Sequence, residues 1–253
     1  MIQRLCVALA LAGVVIVSAR STGAGSGMDA LPAGGLHVLF IGNSLTYTNN
    51  LPGTVSALAA SVGDTIRTRS VALPNLALID HLNGSSDALA VIRGEHWDFV
   101  VLQQGPSSLP VNRDTLVLAT KQFDPAIKAS GAISAQFMTW PSSDRPQDLP
   151  RVLESSRTAA GAVGGVVFAA GQAWARARAR DSTLTFYGTD GYHPSELGTY
   201  LSAIVIYECL TGRDAQRLPK HAVVNGRDLR VSEAAVQMLQ QVAHESVVNY
   251  RSP

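Results

Sequence analysis

Three residues carry groups able to pass a proton and an acyl group between them. Ser44 stands in the run Ile41-Gly42-Asn43-Ser44-Leu45-Thr46, directly after a stretch of apolar residues. A glycine two places before a serine at a strand-to-helix turn lets the hydroxyl stand clear, and the helix start favours negative charge beside it. Far downstream, Thr189-Asp190-Gly191-Tyr192-His193-Pro194 sets a carboxylate three residues before an imidazole. At that spacing in a loop, Asp190 can accept from one ring nitrogen of His193 and leave the other facing a nucleophile. Pro194 stiffens the chain after His193 and suits a first helical turn. Singly, each residue also has a plainer reading: Ser44 as a helix cap, Asp190 as a turn residue, His193 as a surface histidine. Together and in this order, they make a candidate catalytic set for nucleophilic acyl transfer.

Such a set needs a scaffold that brings the two ends of the chain together. Apolar runs at 37–41, 65–73, 99–102, 132–139 and 166–169 read as strands. Helical patterns alternate with them at 52–62, 76–92, 115–129 and 149–162, followed by 195–210 and 232–248. The 76–92 pattern is interrupted at Asn83-Gly84, a break is expected near Pro125, and Gly212 stops an amphipathic 195–210 helix. This alternation predicts a parallel five-stranded sheet wrapped by helices. In open parallel sheets ligands bind outside the carboxyl ends of the strands, which is where Ser44 falls.

Gly42-Asn43-Ser44-Leu45 and Asp190-Gly191-Tyr192-His193-Pro194 resemble the first and last blocks of the SGNH/GDSL hydrolase superfamily. The resemblance runs from about residue 36 to 212 and includes Gly198-Thr199-Tyr200-Leu201 and Leu210-Thr211-Gly212. It implies a flavodoxin-like three-layer α/β/α sandwich and an esterase with Ser44 as nucleophile, His193 as base and Asp190 as its orienter. In that superfamily a glycine N–H and an asparagine side chain join the nucleophile's own N–H in the oxyanion hole. This chain departs at both places. Leu73-Pro74-Asn75-Leu76 follows the second strand without a glycine, and Gln103-Gln104-Gly105-Pro106 follows the third. The resemblance assigns the backbone N–H of Asn75 and the side-chain amide of Gln104 to the hole beside Ser44, with Gln103 the alternative for the amide and strand-end capping the plainer role for both glutamines. Likeness to carbohydrate acetyl esterase branches further implies short acyl groups, acetyl above all, and a small ester substrate such as an acylated carbohydrate. Three rivals stay open on the same fold: an acyltransferase, a non-catalytic glycan-binding module, and a lipase or thioesterase acting on long chains.

Composition limits the partners. The 253 residues are 46% apolar and 15% charged with net charge +1, which points to a globular domain with no nucleic-acid partner. Neither cofactor nor metal is required by the expected chemistry. His81 and His96 lack ligand spacing and no His-Glu-x-x-His occurs, so His81 reads as a hydrogen-bonding residue of a helix start or the core. Trp140 and Trp174, after the fourth and fifth strands, read as packing residues or as walls of a cleft. Arg176, Arg178 and Arg180 read as a solvated face. Residues 1–19, with Arg4, an apolar run and Val17-Ser18-Ala19, read as a signal peptide. Residues 20–35 follow as a flexible linker and 36–253 as one hydrolase domain. Export to the periplasm or medium is expected, with no stable membrane insertion after cleavage and Cys209 left as a lone core thiol.

Overall fold

Strand β1, Leu36–Gly42, is apolar on both faces, as a central strand covered by helices must be. Val38 and Phe40 enter one core, Leu39 and Ile41 the other. The computed structural model describes residues 31–251; the expected leader and linker residues 20–30 lie outside them. The chain continues through α1 (Ser44–Tyr47), α2 (Leu51–Ser61), β2 (Ile66–Ala72), α3 (Leu78–Asp80) and α4 (Ala88–Gly94). Then come β3 (Phe99–Leu102), α5 (Pro110–Ala129), β4 (Ile133–Phe137), α6 (Leu149–Gly161), β5 (Val166–Phe168) and α7 (Ala170–Arg180). The last elements are α8 (Glu196–Thr211), the short strands β6 (Val223–Val224) and β7 (Arg227–Asp228), and α9 (Glu233–Arg251).

Strands β1 to β5 form one parallel sheet in the order β2-β1-β3-β4-β5, with β1 held between β2 and β3. One face packs on α2, α7, α8 and α9 through Val55, Trp174, Tyr200, Ile204 and Leu239. The other packs on α4 and α5 through Val91, Ile92, Leu116, Phe123 and Ile127. Helix α6 covers the β5 end through Val152 and Ala160. This is the expected three-layer α/β/α sandwich with the flavodoxin-like strand order.

Several details differ from the sequence expectation, three of them in the helices. Helix α5 starts at Pro110 and runs unbroken through Pro125. Proline removes one backbone donor, and the packing of Phe123 and Ile127 holds the helix across it. Helix α8 is not amphipathic, because α2, α7 and α9 surround it; Tyr200, Ile204, Ile206 and Tyr207 are all buried. Its polar residues find partners inside: Ser202 accepts from the Trp174 indole and Glu208 from the Ala215 N–H. Helix α7 was not expected at all. Among the described residues no helix is long and apolar enough to cross a membrane.

Candidate active site

The site grows from the end of β1. Asn43 caps α1, its side-chain oxygen accepting from the Leu45 N–H at 3.1 Å, and Ser44 is the first residue of that helix. Gly42 leaves room for its neighbours before the cap: a Cβ there would overlap Gln103 Oε1 and lie 2.8 Å from Thr46 Oγ1, so both side chains would have to move. Between Tyr187 and α8 the chain forms the loop that carries Asp190 and His193, and Ser195 caps the helix by accepting from Gly198 N–H.

The three expected residues meet. His193 Nε2 lies 2.8 Å from Ser44 Oγ, and His193 Nδ1 lies 2.5 Å from Asp190 Oδ2. The other carboxylate oxygen, Oδ1, accepts from the backbone N–H groups of Tyr192 and His193, each at 3.0 Å. With Nδ1–H donating to Asp190, the Nε2 lone pair is left to accept the Ser44 hydroxyl proton. The His193 side-chain bond, then the two backbone bonds, pull the Asp190 pKa down to about 2. A depressed carboxylate favours the charged folded form, so what this charge adds to stability is present above its ordinary range and fades only as pH falls toward about 2. Asp190 is half exposed, and solvent screening keeps that contribution small.

The loop is braced from outside. The Trp140 indole donates to the Tyr192 carbonyl at 3.0 Å, the Ser143 N–H to the Gly191 carbonyl at 2.8 Å, and the Asn49 amide to the Pro194 carbonyl at 3.0 Å. Trp140 itself is buried and stacked on Trp174 at 3.4 Å between ring centroids. Both tryptophans pack in the core and also line a cavity of about 300 Å³ with Pro146 and Leu149, and Trp140 positions the His193 loop. Sequence reasoning missed Asn49, which precedes no motif, and it missed the bracing role of Trp140.

The expected oxyanion donors divide. Leu73-Pro74-Asn75-Leu76 is a turn with Asn75 at φ 60°, a left-handed position where asparagine substitutes for glycine. The Asn43 side chain donates to the Leu76 carbonyl at 3.0 Å and joins this turn to the Ser44 turn. Neither the Ser44 nor the Asn75 N–H donates to another described residue, so both remain open to a ligand. The Gln104 side chain is engaged elsewhere, and its expected place in the hole is corrected. Its amide donates to Ser107 Oγ at 3.1 Å and to the Asn112 carbonyl at 3.2 Å, while its oxygen accepts from Leu78 N–H at 3.3 Å. Gln103 does not fill the place either: its amide nitrogen is sealed from solvent and its oxygen accepts from Asn43 N–H. Gln104→Ala should therefore destabilise the fold by about 1–3 kcal/mol and leave kcat nearly intact. Denaturant unfolding beside steady-state kinetics checks this; a hundredfold fall in kcat would return Gln104 to the hole.

Other titratable clusters have structural explanations. His244 Nδ1 lies 2.8 Å from Glu208 Oε1 and 3.4 Å from Asp214 Oδ1, and Glu208 Oε2 accepts from Ala215 N–H. The group joins the end of α8 to α9 by hydrogen bonds. Buried Asp148 is held by Arg145, Arg151 and Ser108, with the Arg151 bond first in pulling its pKa down. Arg180 pairs with Glu245 at 2.5 Å and Arg178 lies over the Tyr187 ring, so the expected solvated arginine face is partly engaged.

A parallel 2-1-3-4-5 sheet with a serine after β1 and Asp-x-x-His ahead of the long buried helix defines a class: α/β/α hydrolases whose reacting groups stand at the sheet's carboxyl edge. The structure is similar to that of a candidate SGNH hydrolase from Slackia heliotrinireducens, with TM-score 0.57 and 27% identity over 69% of this chain and 98% of that one. The acetyl xylan esterase AlAXEase shares the fold at TM-score 0.57 and 12% identity, over 69% of this chain and 99% of its own. So does the psychrotrophic esterase EstA from Pseudoalteromonas sp., at TM-score 0.51 and 14% identity over 70% and 97%. No protein-family model matches the chain, and no curated protein matches its sequence. In fold, and in its serine and Asp-x-x-His blocks, the chain is similar to the SGNH/GDSL hydrolases.

Proposed function

We propose that the protein is an exported serine esterase that hydrolyses short-chain acyl esters, acetyl esters above all, through an acyl-enzyme. The observation that carries this reading is the continuous hydrogen-bonded line from Ser44 through His193 to Asp190 at the carboxyl edge of the sheet. Ser44 Oγ attacks the ester carbonyl as His193 Nε2 takes its proton. Asp190 holds the imidazole in the Nδ1–H tautomer and stabilises the imidazolium. The negative oxygen of the tetrahedral intermediate is met by the open N–H groups of Ser44 and Asn75. His193 then returns the proton to the leaving alcohol, activates a water, and the acyl group leaves Ser44 as a carboxylic acid.

A cavity of about 230 Å³ lies at the ends of β3 and β4, where Pro106, Leu109 and Pro141 line it beside Ser107, Ser108, Asn112, Ser142, Arg145 and Tyr192. The Tyr192 ring packs edge-on against the His193 imidazole, with 5.4 Å between centroids, so cavity and relay share a wall. An acylated carbohydrate suits such a lining.

The test is a panel of acyl esters from acetyl to decanoyl, with acetylated sugars, beside labelling by a fluorophosphonate. Turnover should be fastest on acetyl and fall steadily with chain length. A preference for decanoyl would overturn the short-acyl reading. Absence of both turnover and labelling would overturn the esterase itself and favour a binding module.

A further inference from the structure

The Gly42–Asn43 peptide, the second peptide unit before the nucleophile, is held from both sides by buried side chains. At its carbonyl end, Gly42 O lies 2.9 Å from His81 Nε2 and also accepts from Leu73 N–H at 3.1 Å. At its amide end, Asn43 N–H donates to Gln103 Oε1 at 2.9 Å, and the Thr46 hydroxyl donates to the same oxygen at 2.8 Å. His81 and Gln103 are each 1% exposed and come from different parts of the chain.

The protonation pattern follows from the acceptors. A carbonyl can only accept, so His81 carries its proton on Nε2. Nδ1 then accepts from the Ser86 hydroxyl at 2.7 Å, and Ser86 Oγ accepts from Ala88 N–H at 3.2 Å. The wide helical turn His81–Ser85, ending on Gly84 at φ 93°, puts the ring within reach of Gly42. Gln103 keeps its oxygen on the Asn43 N–H although its amide nitrogen is buried without a partner. A buried amide left half satisfied is unfavourable, and leucine or methionine would avoid it. Only an acceptor can fix the Asn43 N–H, which gives the glutamine its purpose.

We propose that His81 and Gln103 are positioning residues for Ser44, clamping the Gly42–Asn43 peptide so that the serine hydroxyl and N–H keep their aim. This rests on the esterase reading above. The orientation of that peptide sets where the next residue points. A displacement of the order of 1 Å in a reacting group can lower a rate about a hundredfold. Neither side chain need touch the substrate, so ground-state binding should be unaffected.

His81→Leu and Gln103→Leu should each lower kcat about 10- to 100-fold with KM unchanged, and lower the rate of fluorophosphonate labelling by the same factor. His81→Gln should recover most of the loss, because its side-chain amide can donate from the place of Nε2. The double variant should lose little more than the worse single one, since either change releases the same peptide. Thermal unfolding of each variant ensures that kinetics are compared on folded protein. Where a leucine variant does not fold, Ser86→Ala replaces it: it frees the ring to change tautomer and should lower kcat several-fold. Wild-type kcat and labelling in the folded variants, or His81→Gln no better than His81→Leu, would overturn the clamp while leaving the esterase standing. A wild-type protein that neither turns over esters nor labels would remove the esterase reading first.

Discussion

Ser44→Ala should lower turnover of acetyl esters by about 10⁴–10⁶-fold and abolish fluorophosphonate labelling. The Ser44 hydroxyl bonds to His193 and to nothing else among the described residues, so its removal should leave the unfolding midpoint almost unchanged. His193→Ala should come close to the same loss, because an unactivated hydroxyl is a weak nucleophile at neutral pH. The double variant should be no worse than the poorer single one, since the two groups act as one unit. Kinetics on purified protein, with labelling followed by mass, check all three. Wild-type turnover in Ser44→Ala would end the assignment of this site.

Gly171→Ala should be the most damaging single methyl for the fold. Gly171 lies in the first turn of α7, pressed against the chain that leaves β4. A Cβ would overlap the Thr139 carbonyl oxygen, lie 2.8 Å from its carbon and 3.2 Å from Trp140 Cα. All three are backbone atoms, so the helix or the strand end must move. A destabilisation of about 3 kcal/mol is expected, which lowers the melting temperature by roughly 6–12 °C in a chain of this size. Activity should fall as well, because the neighbouring Trp140 indole holds the Tyr192 carbonyl in the His193 loop. An unchanged melting temperature would mean that the contact relaxes without strain.

The sequence carried the sheet and the reacting groups well, for definite reasons. Phe99–Leu102 was legible because four consecutive apolar residues sit between Asp98 and the two glutamines. Asp190 and His193 were legible because their bond is local, three residues apart. The strand order came from resemblance alone, since pairing of parallel strands leaves little trace in a single chain. Helix α7 was overlooked although Ala170, Ala173, Trp174 and Ala177 mark one buried face; alternating arginines on the other side obscured the period. The β6–β7 hairpin was overlooked too, although Asn225-Gly226, both at positive φ, is a turn signal between two short runs. Gln104 was misassigned for a different reason. Its partners Leu78, Ser107 and Asn112 sit in segments whose course past the strand no local pattern records.

The relay has its own timetable. Ser44 and His193 are 149 positions apart, and the bond between them joins the first strand to the loop before α8. A ribosome adding ~5–20 residues per second needs about 7–30 s to travel from one to the other. Until His193 has been added, the nascent polypeptide has no base to activate Ser44. Hydrolytic competence thus arrives abruptly, late in synthesis, and a prematurely terminated product lacking His193 is chemically silent.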